Sequence, residues 1–511
     1  MSVKEQEKIQ EKYYSEAMRY MDNAKESLKK ANKEGMILHK SYAFFLTITM
    51  LLLGIGCDSI VDEEPIPVFE LNSGYSIQLT ASPNALWKSE NPSVATVSST
   101  GLVTAVQAGK TTIYTYSTNG AQQLICHLEV FARRNILMYI GTDTNGLDNG
   151  SAGDEPKNQI NEIRKGWQPD KGELLIFTDQ TNRRPCLMRI KETLDADGFY
   201  AIDTLHIYEE KNSADAAVLN EVIRTMVNEY PADCYGMIFF SHSSGWFPEG
   251  MLNSPRSLVI DKGEGVSREM SYENFAAAIP DNQFDFMIFE ACFMADAISM
   301  YELRNKSKYI LASSAEIVSP GFYYVYKDQI MRLFDTKNTI ETIVTDFGKA
   351  YTDIIQSIPE NNVFCSTTLG LIKLSEMDQL AATVKAALHG VNMDESTLNV
   401  DSIQRFDRPN KLITYSPRKS RYFDLGHVVE NLASPVQYAA FLAQMNKTVV
   451  WKENTKRFLL GDYSINQPYY SEYDGFFIKR HCGLTTYIER DVYPNLNLAF
   501  RKSAWYKAIY D

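Results

Sequence analysis

The rhythm of apolar and polar positions changes along the chain, and each rhythm predicts a different kind of element. Between about residues 66 and 132 it is short and alternating: Tyr75–Leu79, Val94–Val97, Leu102–Val106, Thr111–Tyr116 and Leu124–Val130 each switch face at every step. Gly101 and Gly109 stand between these segments as turn residues, so the reading is a small all-β sandwich. From Arg133 the runs lengthen. Asn135–Ile140, Glu173–Phe177, Asp203–Tyr208, Gly236–Phe240, Phe284–Phe289 and Tyr309–Ala312 read as strands, several of them continuously apolar, as strands buried on both faces are. A helix is expected to open at Ser213, with Ser213 as its cap, Asp215 in its first turn, and Val218, Leu219, Val222, Ile223, Met226 and Val227 on one face. A second is expected over Met294–Asn305. Alternating strands and helices imply a mostly parallel sheet covered on both faces, with any site beyond the carboxyl ends of the strands. Residues 133–325 form this α/β domain. Residues 326–511 bring helical periods at Ile340–Ile355 and Leu374–Leu388 and aromatic bulk at Tyr422, Tyr469, Tyr470, Tyr473, Phe476 and Phe477. That part is expected to pack on the sheet and shape a cleft.

The amino-terminal 65 residues follow another logic. Ser41–Gly56 is uncharged, follows His39-Lys40, and is too short for a comfortable membrane span. It reads as a signal peptide over residues 36–57. Its end, Leu53-Gly54-Ile55-Gly56-Cys57, resembles the bacterial lipobox, with the leucine one place further from the cysteine than usual. The resemblance implies lipidation of Cys57 and a lipid anchor in a membrane. Asp58, Asp62, Glu63 and Glu64 lie in the next stretch, residues 58–65, and look like the acidic tether of outer-surface lipoproteins in Bacteroidetes. Residues 1–35 carry 15 charged residues, with Ile9, Tyr13, Ala17, Tyr20, Ala24, Leu28 and Ala31 at helical spacing, and read as a surface helix. A charged helix ahead of a signal makes poor sense, so Met36 is the expected natural start.

Net charge and cysteines narrow the classes. A formal charge of -13 argues against nucleic acid as a partner, since phosphate binding needs a basic face. The seven cysteines are scattered without a CxxC pair, which removes a zinc-like site and a dense disulfide framework. Cys57 and Cys292 alone sit in informative contexts.

Two reactive side chains follow apolar runs. Ser241-His242-Ser243-Ser244-Gly245-Trp246 comes after one, and Glu290-Ala291-Cys292-Phe293-Met294 after another. Neighbouring strands lie about 4.8 Å apart, so residues at matching ends can meet. Cysteine hydrolysis needs a thiolate, a base and donors for the oxyanion. Cys292 is the candidate nucleophile and His242 the general base. The backbone N–H groups of Ser243 and Cys292 are the candidate oxyanion hole. His427 and His481 are read as structural. A Gly-x-Ser-x-Gly elbow is absent, which disfavours a serine hydrolase.

Together, His-x-x-Gly-Trp and acidic-x-Cys-x-Met, 50 residues apart (292 minus 242), resemble the clostripain family. So do Ala312-Ser-Ser-Ala-Glu316, Pro320-Gly321, Phe423-Asp-Leu-Gly426, Gly483-Leu-Thr485 and Trp505-Tyr506. The resemblance implies a caspase-like fold and cleavage of protein or peptide substrates after a basic residue, the P1 position. Glu290 stands where the family has the aspartate that binds the P1 side chain, and Glu316 is the other candidate acid. After Pro320-Gly321 the family often has a further acid, but here the chain reads Phe322-Tyr323-Tyr324. Ser243 replaces a frequent glycine. The family often cuts itself between histidine and cysteine; Arg256, Lys262 and Arg268 lie there, and Arg256 is the expected nick. Calcium is the cofactor the resemblance would bring, although Asp143–Asp154 lacks an EF-hand register and no ligand can be named.

The earlier segment Trp87-x-Ser-x-Asn-x-x-Val-Ala-x-Val97, with Gly101-x-Val-x-Ala105 and Gly109, resembles the bacterial immunoglobulin-like group 2 domain. It implies a spacer or adhesion module with Trp87 plugging its core. The overall expectation is a lipid-anchored peptidase of the outer membrane or cell surface. The alternative is an adhesion or binding lipoprotein whose peptidase domain is silent.

Overall fold

The computed structural model describes residues 66–511 apart from 82–83, 118–119, 144–153, 210, 252–257, 262–267, 361–363, 408–419 and 459–475. The expected signal, Cys57 and Arg256 therefore lie outside the described residues. The chain divides into two compact units that meet in sequence at Arg133 and Arg134.

The smaller unit is the expected β-sandwich. One sheet holds β1 (Val68–Asn72), β7 (Gln122–Phe131), β6 (Gly109–Tyr116) and β3 (Leu86–Ser89), in that order. The other holds β2 (Ser76–Gln78), β5 (Leu102–Ala105) and β4 (Ala95–Val97). Val103, Ile113, Cys126 and Leu128 are among the buried side chains between them. Trp87 packs against this core only half-buried, so it covers the core rather than plugging it. It also explains Gly101, which turns with φ +85; a Cβ there would lie 2.7 Å from Trp87 Cζ2.

The larger unit is built on a nine-stranded sheet ordered β11-β10-β9-β8-β12-β15-β16-β17-β19. Its centre is parallel: β9 (Leu174–Asp179), β8 (Arg134–Gly141), β12 (Cys234–Ser241), β15 (Phe284–Glu290) and β16 (Ser307–Ser313). β8, β9 and β15 are buried at every position, because the sheet is covered on both sides. Its flanks are antiparallel. β10 (Cys186–Leu194) and β11 (Tyr200–Ile207) extend one edge, and β17 (Thr368–Lys373) and β19 (Val449–Asn454) the other. The sheet is thus mixed, and it runs through the boundary expected at 325/326. Short β13 (Val259–Asp261) and β14 (Arg268–Met270) pair with each other between the histidine and cysteine segments, and β18 is Phe423–Asp424.

Six helices bear on the site: α1 (Glu155–Gly166), α2 (Ala216–Glu229), α3 (Tyr272–Ala278), α4 (Ala297–Glu302), α5 (Tyr323–Gln329) and α6 (Ile340–Gln356). The cap of α2 is Asp215, which accepts the Ala217 N–H at 2.8 Å. Ser213, the expected cap, is drawn elsewhere: its N–H lies 3.0 Å from Asp179 Oδ2 and 2.7 Å from Asp261 Oδ2. Helix α4 is shorter than the expected Met294–Asn305, because Phe293 and Ala295 are held to Ala315 and Ser313 at the end of β16 before Asp296 caps it. None of the described helices is long and apolar enough to cross a membrane.

The buried acids make stability depend on pH in a definite direction. Burial first, and the neighbouring Asp261 second, push Asp179 up to about 9. Burial likewise pushes Glu290 up to about 8. Between pH 7 and 9 the folded protein therefore keeps protons that the unfolded chain has already released. Stability must fall as pH rises through that window, by about 1.4 kcal/mol per pH unit for each proton retained. We expect the melting temperature of the larger unit to drop from pH 7 to 9, and Asp179→Asn to flatten the slope. A flat or rising wild-type profile would contradict this.

Candidate active site

The tops of β12 and β15 place the two reactive side chains. These strands pair in parallel with Phe239 opposite Phe289 and Phe240 opposite Glu290. Two residues beyond that last rung along each strand stand His242 and Cys292. Both follow the ends of neighbouring strands, whose spacing is about 4.8 Å. Both are half-buried, while Ser241, Ser243, Ser244 and Ala291 around them are buried.

The turns behind them are firmly held. Phe293 takes φ +59, a left-handed conformation costly for an aromatic residue. Its N–H donates to Ala315 O at 2.9 Å, and the Ala295 N–H donates to Ser313 O at 2.9 Å. This sharp turn directly after Cys292 leaves the thiol at the strand end. On the histidine side the left-handed residue is Gly245, φ +61, where a Cβ would fall 2.6 Å from Phe293 O. Ser243 has no positive φ, so the serine in place of glycine is not strained. Its N–H has no hydrogen-bond partner among the described residues and remains available as a donor. Its hydroxyl contacts Met294 Sδ at 3.1 Å and accepts the Gly245 N–H at 2.9 Å. Tyr422, just before β18, clamps both turns. It stacks on Phe293 at 4.3 Å and on Phe247 at 5.2 Å, and its hydroxyl donates to Ser244 O.

The two candidate acids differ. Glu290, the last residue of β15, is only 3% exposed. Its Oε1 accepts Gln159 Nε2 at 2.7 Å and the Phe322 N–H at 2.6 Å, and its Oε2 accepts the Tyr326 hydroxyl at 2.6 Å. A carboxylate offers about four lone-pair sites, so three are already occupied. Glu316 is half-buried, next to the Ala315 carbonyl that anchors Phe293.

The clostripain family profile matches residues 148–477. The chain belongs to the clostripain family. The profile of the bacterial immunoglobulin-like domain, group 2, matches residues 71–128. Among solved structures, the inactive zymogen C11 protease from Parabacteroides distasonis is 27% identical, with a TM-score of 0.60 over 75% of this chain and 99% of that one. A secreted C11 cysteine protease from Bacteroides thetaiotaomicron, bound to an irreversible peptide inhibitor, is 25% identical, with a TM-score of 0.59 over 74% of this chain and 98% of that one. A further secreted C11 protease of that organism, at 19% identity and a TM-score of 0.55, shares the fold. The RNA-directed RNA polymerase L of Allpahuayo mammarenavirus is 26% identical over 191 residues. That match spans 34% of this chain and 8% of the polymerase.

In this clostripain-family cysteine protease the sequence pattern located His242, Cys292, Ser243, Glu290 and Glu316 on three adjacent strand ends, those of β12, β15 and β16. It did not locate Glu155 or Gln159, which reach the site from an element remote in sequence, and it named Tyr422 only within the aromatic bulk expected to shape a cleft. His481 is half-buried and bonded at 3.2 Å to Ser314 and at 3.1 Å to Asn454. His427 accepts the Gln404 N–H at 3.0 Å. Among the described residues no three His, Cys, Asp or Glu side chains group to hold a metal ion.

Proposed function

We propose that this clostripain-family protein is a lipid-anchored surface endopeptidase that cuts after Arg or Lys, with Cys292 as nucleophile and His242 as general base. The observation that supports it is that His242 and Cys292 each follow, by two residues, the last paired rung of two neighbouring parallel strands, Phe240 opposite Glu290. His242 takes the thiol proton, and the Cys292 thiolate attacks the scissile carbonyl. The Ser243 and Cys292 N–H groups meet the charge that develops on its oxygen. His242 then returns the proton to the leaving amine, and water completes hydrolysis of the thioester. The relative bound to a peptide inhibitor supports peptides as substrates. Glu290 and Glu316 are the acids for the basic side chain. Arg256 is the residue after which the protein would cut itself, and the relative solved as a zymogen is consistent with such a step. Cys57 would carry the lipid.

The test is a panel of quenched peptides varied only at P1, run on the protein with a gel beside it. Turnover after Arg or Lys and a two-fragment pattern that Arg256→Ala removes are expected. Detergent-phase partition of the full chain, lost in Cys57→Ser, is expected from the anchor. Absence of turnover across the panel in folded protein would favour an adhesion or binding lipoprotein, a reading to which the immunoglobulin-like unit gives some support.

A further inference from the structure

Helix α1 carries polar groups into the interior that the mechanism above does not use. Glu155, its first residue, is only 4% exposed. Its Oε1 accepts the Ser319 hydroxyl. Its Oε2 has no hydrogen-bond partner among the described residues. One turn later Gln159, 1% exposed, gives its Nε2 to Glu290. The other end of that amide, Oε1, is buried with no partner at all. Glu155 and Glu290 are close enough for the charge of one to raise the proton affinity of the other. No lysine or arginine among the described residues pairs with either carboxylate.

The result is a cluster of acceptors without a cation: a second carboxyl oxygen on Glu155, an orphan amide oxygen on Gln159, and an unfilled lone-pair site on Glu290. A buried acceptor left unpaired, as Gln159 Oε1 is, is costly, so such a cluster fits a ligand rich in donors and positively charged. Its distance from the thiol suits a side chain. Glu290 closes β15 and Cys292 follows two residues later in the turn, so their backbones are at most about 7 Å apart, which an outstretched Arg or Lys side chain can span. The sequence beside Gly321 holds no acid, and the second carboxylate arrives instead from a helix more than a hundred residues upstream.

We propose that Glu155 and Gln159 are specificity-determining residues that complete, from α1, the binding site for a basic P1 side chain begun by Glu290. The inference rests on the basic-P1 reading above. An arriving cation would release to solvent the proton that burial holds on Glu290, so that two carboxylates and an amide oxygen take the guanidinium or ammonium group together, and charge and donor number are recognised by one cluster.

The experiment uses the whole protein and matched peptides carrying Arg, Lys, citrulline or Ala at P1, with wild type beside Glu155→Gln. Citrulline keeps the shape of arginine and removes its charge. The variant is expected to lose roughly 30-fold in kcat/KM on the Arg peptide. The loss should fall mainly on KM and be confined to basic P1 residues. Undiminished Arg cleavage by Glu155→Gln would overturn the proposal and leave the basic-P1 reading standing. Equal losses on the Arg and citrulline peptides would also overturn it, since Glu155 would then support the fold rather than read charge. A wild-type enzyme that prefers neutral P1 residues would remove the basic-P1 reading itself.

Discussion

Cys292→Ala is expected to lose peptide hydrolysis by at least about 10⁴-fold while melting at the wild-type temperature. The thiol is half-buried at the end of a strand, and removing one sulfur there leaves little cavity in the core. His242→Ala should fall by a comparable factor, because a thiol without its base is mostly protonated at neutral pH. The double variant should be hardly worse than either single one, since the two groups act as a unit. Assay of all three with the best P1 peptide decides the matter. Substantial turnover in Cys292→Ala, or losses that multiply in the double variant, would mean that His242 and Cys292 are not the reacting pair.

The second large effect is on the fold. Gly321 has φ +63, and a Cβ on it would lie 1.9 Å from Glu290 Oε1. The carboxylate cannot step aside freely, since Gln159, Phe322 and Tyr326 hold it. Gly321→Ala therefore combines backbone strain with a collision against a fixed buried group. We expect a loss of about 3 kcal/mol or more, with activity falling in parallel. Gly198→Ala separates the two causes. Gly198 also has positive φ, at +80, but a Cβ there meets nothing within 4 Å. It should cost about 1 kcal/mol from strain alone. Denaturant unfolding of both variants gives the comparison; equal, small effects would show that the Glu290 cluster yields easily.

What the sequence disclosed follows from where each element sits. β8, β12 and β15 were legible because central parallel strands are buried on both faces and read as unbroken apolar runs. The same position made His242 and Cys292 conspicuous, as polar punctuation at the ends of those runs. β10 was missed because it lies near an edge, with a mixture of buried, partial and exposed positions that resembles a loop. Ser213 looked like a helix cap because its residue type fits; it is instead a donor to two buried carboxylates, a contact no local window contains. The same holds for the acid cluster. Gln159 and Glu290 are 131 positions apart, and nothing near Glu155 marks it as inward-facing except the helix period. Local chemistry at strand ends is written locally, whereas a pocket assembled from separate elements is not.

The order of strands in the large sheet has a consequence for a nicked molecule. β8 to β12 precede the interval between histidine and cysteine, and β15 to β19 follow it, yet β12 and β15 are neighbours at the centre of one sheet. A cut in that interval would sever the chain without parting its halves, because a full row of ladder bonds and a shared core still join them. The product would be a two-chain enzyme with its base on one polypeptide and its nucleophile on the other. Neither half would have a working site alone, and the two, made separately, would be natural partners for reconstitution.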